Sequence, residues 1–423
     1  MNYVAEILAV GTELLLGDIA NTDAQVISRA LSQLGITVYY HTVVGDNPQR
    51  LKEAVEVAKK RANIIITTGG LGPTYDDLTK QTLAEAFGKP LLMHEPSAQK
   101  IRDYFMHNDK RKVPENSMQQ AMMPEGCTVF DNSCGTAPGC AFVADGIHVL
   151  MLPGPPRECA SMFEHCAVPY LKTLSDATIF SRTIHVFGMG EPAVENKLKG
   201  MMQQMENPTV APYAKEGEVM LRVTAKASTK EEAERMVQPV MEQVAKTLGD
   251  VVYGFDVPSL EAVVFEKMKE KGLTLAAAES CTGGLLAKRF TDLPGASAVF
   301  LGAVVSYSAD VKQNMLGVPK EVIAEKGTVS EETARYMAEG ARRVLGADLA
   351  ISVTGVAGPE PDEKNNPVGL VYAGLATKDG TYVRKVHVGR DRGWVRIMAT
   401  LHGLDMARRY LTGKEIEKTA EMR

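Results

Sequence analysis

Motifs for several common chemistries are missing from this chain. There is no G-x-x-x-x-G-K-[ST] phosphate loop and no G-x-S-x-G nucleophile elbow. The half after residue 254 has no H-E-x-x-H, no cysteine pair and no clustered His–carboxylate set of the kind catalytic zinc uses. Its only histidines, His387 and His402, lie in no turn with an evident partner. The six cysteines in 423 residues include no C-x-x-C and make no disulfide framework. Reduced thiols in a cytoplasmic compartment are the expectation. Long apolar runs are missing too. "MNYVAEILAVGTELLLGD" has no basic n-region, and Glu6, Glu13 and Asp18 interrupt its apolar residues, so neither a signal peptide nor a membrane span is expected. The net charge of -5 provides no basic field to draw the chain to nucleic acid or membrane. No internal repeat or low-complexity tract occurs.

What is present is an ordinary soluble balance, 45% hydrophobic and 23% charged, in a chain long enough for two or three domains. "YVAEILAV" reads as a buried strand, and Thr22-x-x-Gln25 reads as a capping box ahead of an amphipathic helix. "ITVYYHTVV" and "NIIITTGG" are further strands, with a helix between them capped by Asn47 and started by Pro48. Strands alternating with helices imply a parallel sheet covered on both faces. The pattern changes near residue 178, where "TIFSRTIHVFGM", "EVMLRVTAKA" and a long helix from Lys230 suggest a small α+β module. After the linker "DVPS" the βα alternation resumes to the end. The expected architecture is α/β: two three-layer α/β domains, residues 1–172 and 255–423, joined by a small α+β module at 173–254.

Two groups of loops carry the candidate chemistry. In "TTGGLGPTYDD", Gly69, Gly70 and Gly72 allow close backbone approach to a ligand at the carboxyl end of a strand, where open α/β sheets bind their ligands. Asp76 and Asp77 either complement a helix N-terminus or, with Glu13 and Asp18, hold a divalent cation against a phosphate-bearing ligand. In "AAAESCTGG", Ser280 stands at a corner between a strand and a helix. Either Ser280 or Thr282 merely caps that helix, or the corner exposes a hydroxyl beside amides that can serve an oxyanion. A second strand delivers Tyr307 and Lys312 just past its end. A serine nucleophile needs a base, and a lysine of depressed pKa can supply one, with a tyrosine relaying the proton. The plain alternatives are a solvated helix-face lysine and a half-buried tyrosine. A third loop, "SVTGVAGP", offers Thr354, Gly355 and Gly358.

"GTELLLGDIANTDAQ", "TTGGLGPTYDDLT", "NSMQQAMMPEG", "NSCGTAPG" and "LPGPPRE" resemble the amino-terminal domain of the competence/damage-inducible protein A (CinA) family, which is similar to molybdopterin-binding domains. "AAAESCTGG", "VSYSADVK" and "SVTGVAGP" resemble that family's carboxy-terminal amidase domain. The resemblance spans essentially the whole chain and carries definite expectations. The C-terminal domain is expected to deamidate nicotinamide mononucleotide (NMN) without a cofactor. Ser280 is its nucleophile and Tyr307 and Lys312 its catalytic partners; Thr282, Gly283, Gly284, Thr354, Gly355, Gly358, Arg392 and Arg396 bind substrate. The "GRDRGWVR" stretch is one residue longer than the family's arginine element, and "EPDEKNN" replaces its glycine-rich loop. The N-terminal domain is expected to hydrolyse ADP-ribose with a divalent metal such as Mg. There Gly69, Gly70, Gly72, Thr74 and Asn116 bind substrate, and Asp77, Asp76 and Glu13 hold the metal. The middle module resembles a KH fold. It carries 9 Lys or Arg against 10 Asp or Glu over residues 179–253 and has no G-x-x-G loop, so nucleic acid is not the expected partner and a spacer in a homodimer is. The rival reading is a nucleic-acid- or partner-binding competence protein with a non-catalytic N-terminal domain.

Overall fold

The computed structural model describes residues 3–108, 114–174 and 178–417. It divides into two compact units, Met1–Phe180 with Ala225–Arg235, and Ser181–Thr224 with Met236–Arg423.

The first unit is built on a sheet of order β2-β1-β3-β8-β7-β6. Its strands are β1 (Val4–Val10), β2 (Thr37–Val44), β3 (Ile64–Thr68), β6 (Thr128–Phe130), β7 (Gly139–Ala144) and β8 (Ile147–Leu152). A separate ribbon pairs β4 (Leu91–Met93) with β5 (Met122–Pro124). The first four strands of the sheet run parallel, and β7 and β6 are antiparallel, so the sheet is mixed rather than purely parallel. Side-chain alternation explains why apolar residues occupy both faces of β1, on either side of Glu6. Ala5 and Ile7 enter one core with the helix Thr22–Gln33, while Leu8 and Val10 enter another with the helices Pro48–Ala58 and Thr79–Ala86. Asn47 caps the second helix as expected, its Oδ1 accepting from the Arg50 amide. The first is capped by Asn21, whose carbonyl oxygen accepts from the Ala24 amide, and Thr22 is its first helical residue.

The middle segment forms a four-stranded sheet of order β10-β11-β9-β12, from β9 (Thr178–Val186), β10 (Thr209–Lys215), β11 (Glu218–Ala227) and β12 (Val252–Phe255). Phe187 and Tyr253 join the core of the second unit, where the Phe187 ring meets His402 edge-on at 5.2 Å.

That core surrounds a sheet of order β14-β13-β15-β16-β17: β13 (Leu275–Glu279), β14 (Phe300–Val305), β15 (Leu349–Gly355), β16 (Leu370–Ala376) and β17 (Thr381–His387). Three strands are parallel, and β16 and β17 turn back as an antiparallel pair. Leu275 and Ala277 face the helices Leu260–Lys271 and Arg392–Leu411; Ala276 and Ala278 face the helix Glu331–Leu345. Alanines on β13, which lies inside the sheet between β14 and β15, bring both helical layers close to the backbone. No helix among the described residues is long and apolar enough to cross a membrane.

Candidate functional site

Ladder register decides which loop residues meet. Glu279 on β13 is level with Val305 on β14 and with Val353 on β15. The next residues continue the ladder: the Ser280 amide donates to the Val353 carbonyl (2.9 Å) and the Ser306 amide to the Glu279 carbonyl (2.8 Å). Ser280, Ser306 and Thr354 therefore stand in one row at the carboxyl edge of three parallel strands.

Lys312 reaches this row from the helix Ala309–Leu316, which Ser308 caps by accepting from the Val311 amide. Its side chain is fully buried, so it is no solvated surface lysine. Nζ lies 2.9 Å from Ser280 Oγ and donates to the carbonyls of Ser306 (2.6 Å) and Tyr307 (3.4 Å). Burial lowers its pKa to about 8. A charged Nζ has a hydrogen for each of these three acceptors. A neutral one turns a lone pair to Ser280 Oγ and accepts the hydroxyl proton. Burial pushes the neighbouring Cys281 thiol up to about 12, which leaves it no thiolate nucleophile near neutral pH.

Ser280 does not cap the following helix, Leu285–Thr291, whose N-cap is Gly284 with no side-chain cap bond. The buried Glu279 performs that task. Its Oε2 accepts from the amides of Gly284 (2.9 Å) and Leu286 (3.1 Å), and its Oε1 from Ala287 (2.8 Å). This corrects the expectation that the glycine amides face the substrate. The Gly284 amide serves Glu279, and the Gly283 amide bonds back to the Ser280 carbonyl. Among the described residues the amides of Cys281 and Thr282 donate to no protein oxygen, and the Thr282 hydroxyl is buried without a partner. Glu279 was missed in the sequence. A charged residue closing an all-apolar strand was the available signal, because a buried carboxylate requires donors.

Tyr307 is 64% exposed and its hydroxyl touches neither Ser280 nor Lys312. It accepts from Arg392 Nη2 (3.2 Å), whose Nη1 donates to the Gly358 carbonyl (2.7 Å). Arg396 Nη2 donates to the Thr282 carbonyl (2.7 Å). Two arginines from the first turns of the helix Arg392–Leu411 thus tie together the Ser280 turn, the Tyr307 loop and the third loop. Neither is among the causes that lower the Lys312 pKa, which is an effect of burial. Thr354 is buried, and its hydroxyl donates to the Thr328 carbonyl (2.7 Å), anchoring the third loop; Gly355 ends β15 beside it.

In the first unit, the loops after β1, β3 and β8 converge on a pocket of about 560 Å³. Gly69 and Gly70 are obligatory there. Both have positive φ, and a Cβ on Gly69 would lie 2.1 Å from the Val10 carbonyl oxygen, one on Gly70 2.0 Å from Thr79 Oγ1. Gly72, Thr74, Asp76, Asp77 and Glu13 line the pocket with Asp46 and Glu158, and among the described residues no lysine, arginine or histidine does. Asn116 is not part of the lining; its Nδ2 holds the Pro73 carbonyl (2.9 Å) from outside. Asp76 and Asp77 do not cap the next helix, which starts at Thr79 without a side-chain cap. The Thr74 hydroxyl contacts Asp76 Oδ1 and, at 2.6 Å, Asp77 Oδ2, which also accepts from the Thr74 amide (2.9 Å). One hydroxyl proton cannot serve two carboxylates. The buried Gln120 Oε1 in the lining has no partner. Among the described residues no group of three or more His, Cys, Asp or Glu is gathered tightly enough to hold a metal ion. The hard oxygen donors, the missing proton and the lack of a cationic side chain among the described lining residues fit an ion of the Mg type, held by one or two carboxylates and completed by ligand phosphates and water.

Three family models match the chain: "Probable molybdopterin binding domain" over residues 6–173, "Damage-inducible protein CinA KH domain" over 181–254, and "CinA C-terminal domain" over 257–411. A CinA-like protein of Dictyoglomus turgidum is 48% identical over 406 residues, covering 96% of this chain and 98% of its own. A putative competence-damage inducible protein of Acetivibrio thermocellus is 46% identical over 407 residues, with 96% and 98% covered. Among solved structures, the competence/damage inducible protein CihA from Agrobacterium tumefaciens is 35% identical, covers 36% of this chain and 93% of its own, and superposes with a TM-score of 0.35.

Proposed function

The chain belongs to the CinA family, and from that premise we propose that its C-terminal domain is an amide hydrolase acting on nicotinamide mononucleotide. The observation that carries this reading is the buried Lys312 Nζ, with its lowered pKa, 2.9 Å from Ser280 Oγ. Ser280 Oγ attacks the carboxamide carbon while neutral Lys312 takes its proton. The carbonyl oxygen gains negative charge beside the Cys281 and Thr282 amides. The C–N bond then breaks as Lys312 returns the proton to the departing nitrogen, releasing ammonia. Water, deprotonated by Lys312, cleaves the acyl-Ser280 ester to give nicotinic acid mononucleotide. Arg392 and Arg396, which bond to the loops around this row, would receive the substrate phosphate. Tyr307 shapes that rim through Arg392 rather than relaying the proton.

The N-terminal pocket is read as a metal-dependent ADP-ribose pyrophosphatase site. Asp77, Asp76 and Glu13 are the residues that would hold the metal. The bound metal would neutralise the diphosphate charge that the acidic lining otherwise repels. The glycines at 69, 70 and 72 let the ligand approach the backbone.

The decisive experiment is ammonia release from NMN by the full chain and by Ser280→Ala. Loss of at least about a thousand-fold is expected of a nucleophile, with the unfolding midpoint little changed. Near wild-type release by a folded Ser280→Ala protein overturns the assignment.

A further inference from the structure

A second cavity lies beside the N-terminal pocket. It encloses about 410 Å³ between the helix Glu95–Asn108 and the loop from β6 to β7. A thin strip of that loop divides the two spaces, and Thr136 lines both. Asn132, which lines the second cavity, donates from Nδ2 to Oε2 of Glu158, which lines the first (2.7 Å). A Cβ on Gly135 would lie 2.4 Å from the same oxygen. The strip is also tightly bonded. Asn132 Oδ1 accepts from the amides of Cys134 (2.9 Å) and Gly135 (2.8 Å), and Nδ2 donates to the Ala137 carbonyl (2.9 Å).

The second cavity is built for a different guest from the first. Among its described lining residues the one cation, Lys100, is paired with Asp131 at 2.8 Å, and Asp103 adds another carboxylate, so nothing there draws a phosphate. What it offers is an aromatic ring and uncharged hydrogen-bonding groups. Tyr104 is 47% exposed. Its ring meets that of Phe105 at 85° with centroids 5.7 Å apart, and Phe105 packs against the buried Ala98 and Ile101. An anchored but open aromatic ring is a stacking platform for a base. Ser133 and Thr136 add hydroxyls, and a carboxylate suits the hydroxyls of a ribose.

A diphosphate that joins two sugars has an arm at each end, and both cannot stay among the carboxylates of the first pocket. We propose that the second cavity is the nucleoside subsite of the N-terminal pocket. The diphosphate occupies the first space, and the nucleoside arm crosses Thr136 and lays its base on Tyr104. This rests on the pyrophosphatase reading of that pocket. Stacking accepts any base, so the subsite selects for a nucleoside rather than for adenine itself.

Cys134 is exposed and lines the second cavity, so its alkylation reports on occupancy without any turnover. The full chain with Mg is treated with iodoacetamide alone or together with α,β-methylene ADP-ribose (which cannot be cleaved), adenosine or pyrophosphate. Peptide mapping follows Cys134. At about ten times its Kd the analogue should slow the reaction roughly tenfold, by mass action. Adenosine should do the same at higher concentration, and pyrophosphate should not. Tyr104→Ala should weaken the analogue roughly ten- to a hundred-fold, and Tyr104→Phe should restore it. Binding of the analogue that leaves Cys134 reacting at its free rate, or that Tyr104→Ala does not weaken, overturns the subsite and leaves the pyrophosphatase reading standing. Equal protection by pyrophosphate overturns the subsite too, because Cys134 would then report on the first space. Protection by adenosine in a protein that neither binds the analogue nor cleaves ADP-ribose supports the nucleoside cavity and removes the pyrophosphatase reading.

Discussion

The two candidate sites occupy equivalent places, the carboxyl edges of parallel strands in mixed sheets, yet they are finished to different degrees. At the C-terminal edge the groups proposed to react touch each other: Lys312 contacts Ser280, and Glu279 and Arg396 fix the turn that carries Ser280. At the N-terminal edge the polar groups surround an open pocket of about 560 Å³ and are tied to their own loop, with an excess of negative charge and no cationic side chain among the described lining residues. Under the proposed reading the first holds a nucleophile and a base of its own. The second holds only the means to bind and orient, so its chemistry depends on what arrives with the ligand. Burial creates this difference. It lowers the pKa of a lysine held among neutral acceptors, whereas the exposed carboxylates of the pocket remain available to an ion.

The largest effects should come from the self-contained site. Lys312→Arg retains a cation but cannot deprotonate in this range, and Lys312→Met removes the amine. Both should lower NMN deamidation by about a thousand-fold, within the span that general-base catalysis contributes. Wild-type kcat/KM should rise with pH to a plateau with an apparent pKa of about 8. Substantial turnover by Lys312→Arg with an unchanged pH profile would leave Lys312 only a holding role.

Next in size is Asp77→Asn in the open pocket. Weakening a partner that merely orients a metal ligand costs about 10–100-fold, so a direct carboxylate should cost at least that in Mg-dependent ADP-ribose turnover. NMN deamidation by the same variant should be unaltered, and EDTA should abolish the first activity and spare the second. A parallel loss of both activities in a folded variant would erase the distinction between the sites.

Glu279 sharpens the comparison on the C-terminal side. Its two oxygens serve three amides, and glutamine offers one oxygen and a donor that faces other donors. Glu279→Gln should lower stability by about 1–3 kcal/mol and kcat by about tenfold, with KM for NMN nearly constant, because the turn amides rather than the phosphate contacts lose their placement. An unfolding experiment and a kcat–KM split check both halves. A rise in KM alone would assign Glu279 to substrate binding.

Much of this arrangement was legible in the sequence, and the omissions share a cause. Strands with continuous apolar runs and helices with marked caps, such as Asn47 with Pro48 or Ser259 before Leu260–Lys271, declare themselves locally. Ser280, Tyr307 and Lys312 were likewise visible as residues just past strand ends. What stayed hidden depends on register and on side-chain contacts. The β13–β14 and β13–β15 ladders show that Ser306 stands in the same row, and the side-chain bonds show that Glu279 takes the Gly284 amide and that the Tyr307 hydroxyl meets Arg392 rather than Lys312. The turn-back of β16 and β17 was missed for a similar reason, since an apolar strand does not announce the direction of its partner.

The smallest expected effect is a stability signature of the same lysine. Lys312 has a folded pKa of about 8 against about 10.4 for a free lysine. The folded state therefore binds fewer protons than the unfolded chain between those values, and stability must rise with pH across that window. Below pH 8 the deficit is fully present; above about 10.4 it is gone. From pH 7 to 9 the wild type should gain about 1 kcal/mol relative to Lys312→Met, which has no such titration. Urea unfolding of both proteins at the two pH values measures it, and taking the difference between them cancels every other titrating group the two proteins share. A flat difference would mean that the lysine keeps its ordinary pKa in the fold. The contact with Ser280 would then be that of an ammonium donor, and the C-terminal site would lack the internal base that separates it from the N-terminal pocket.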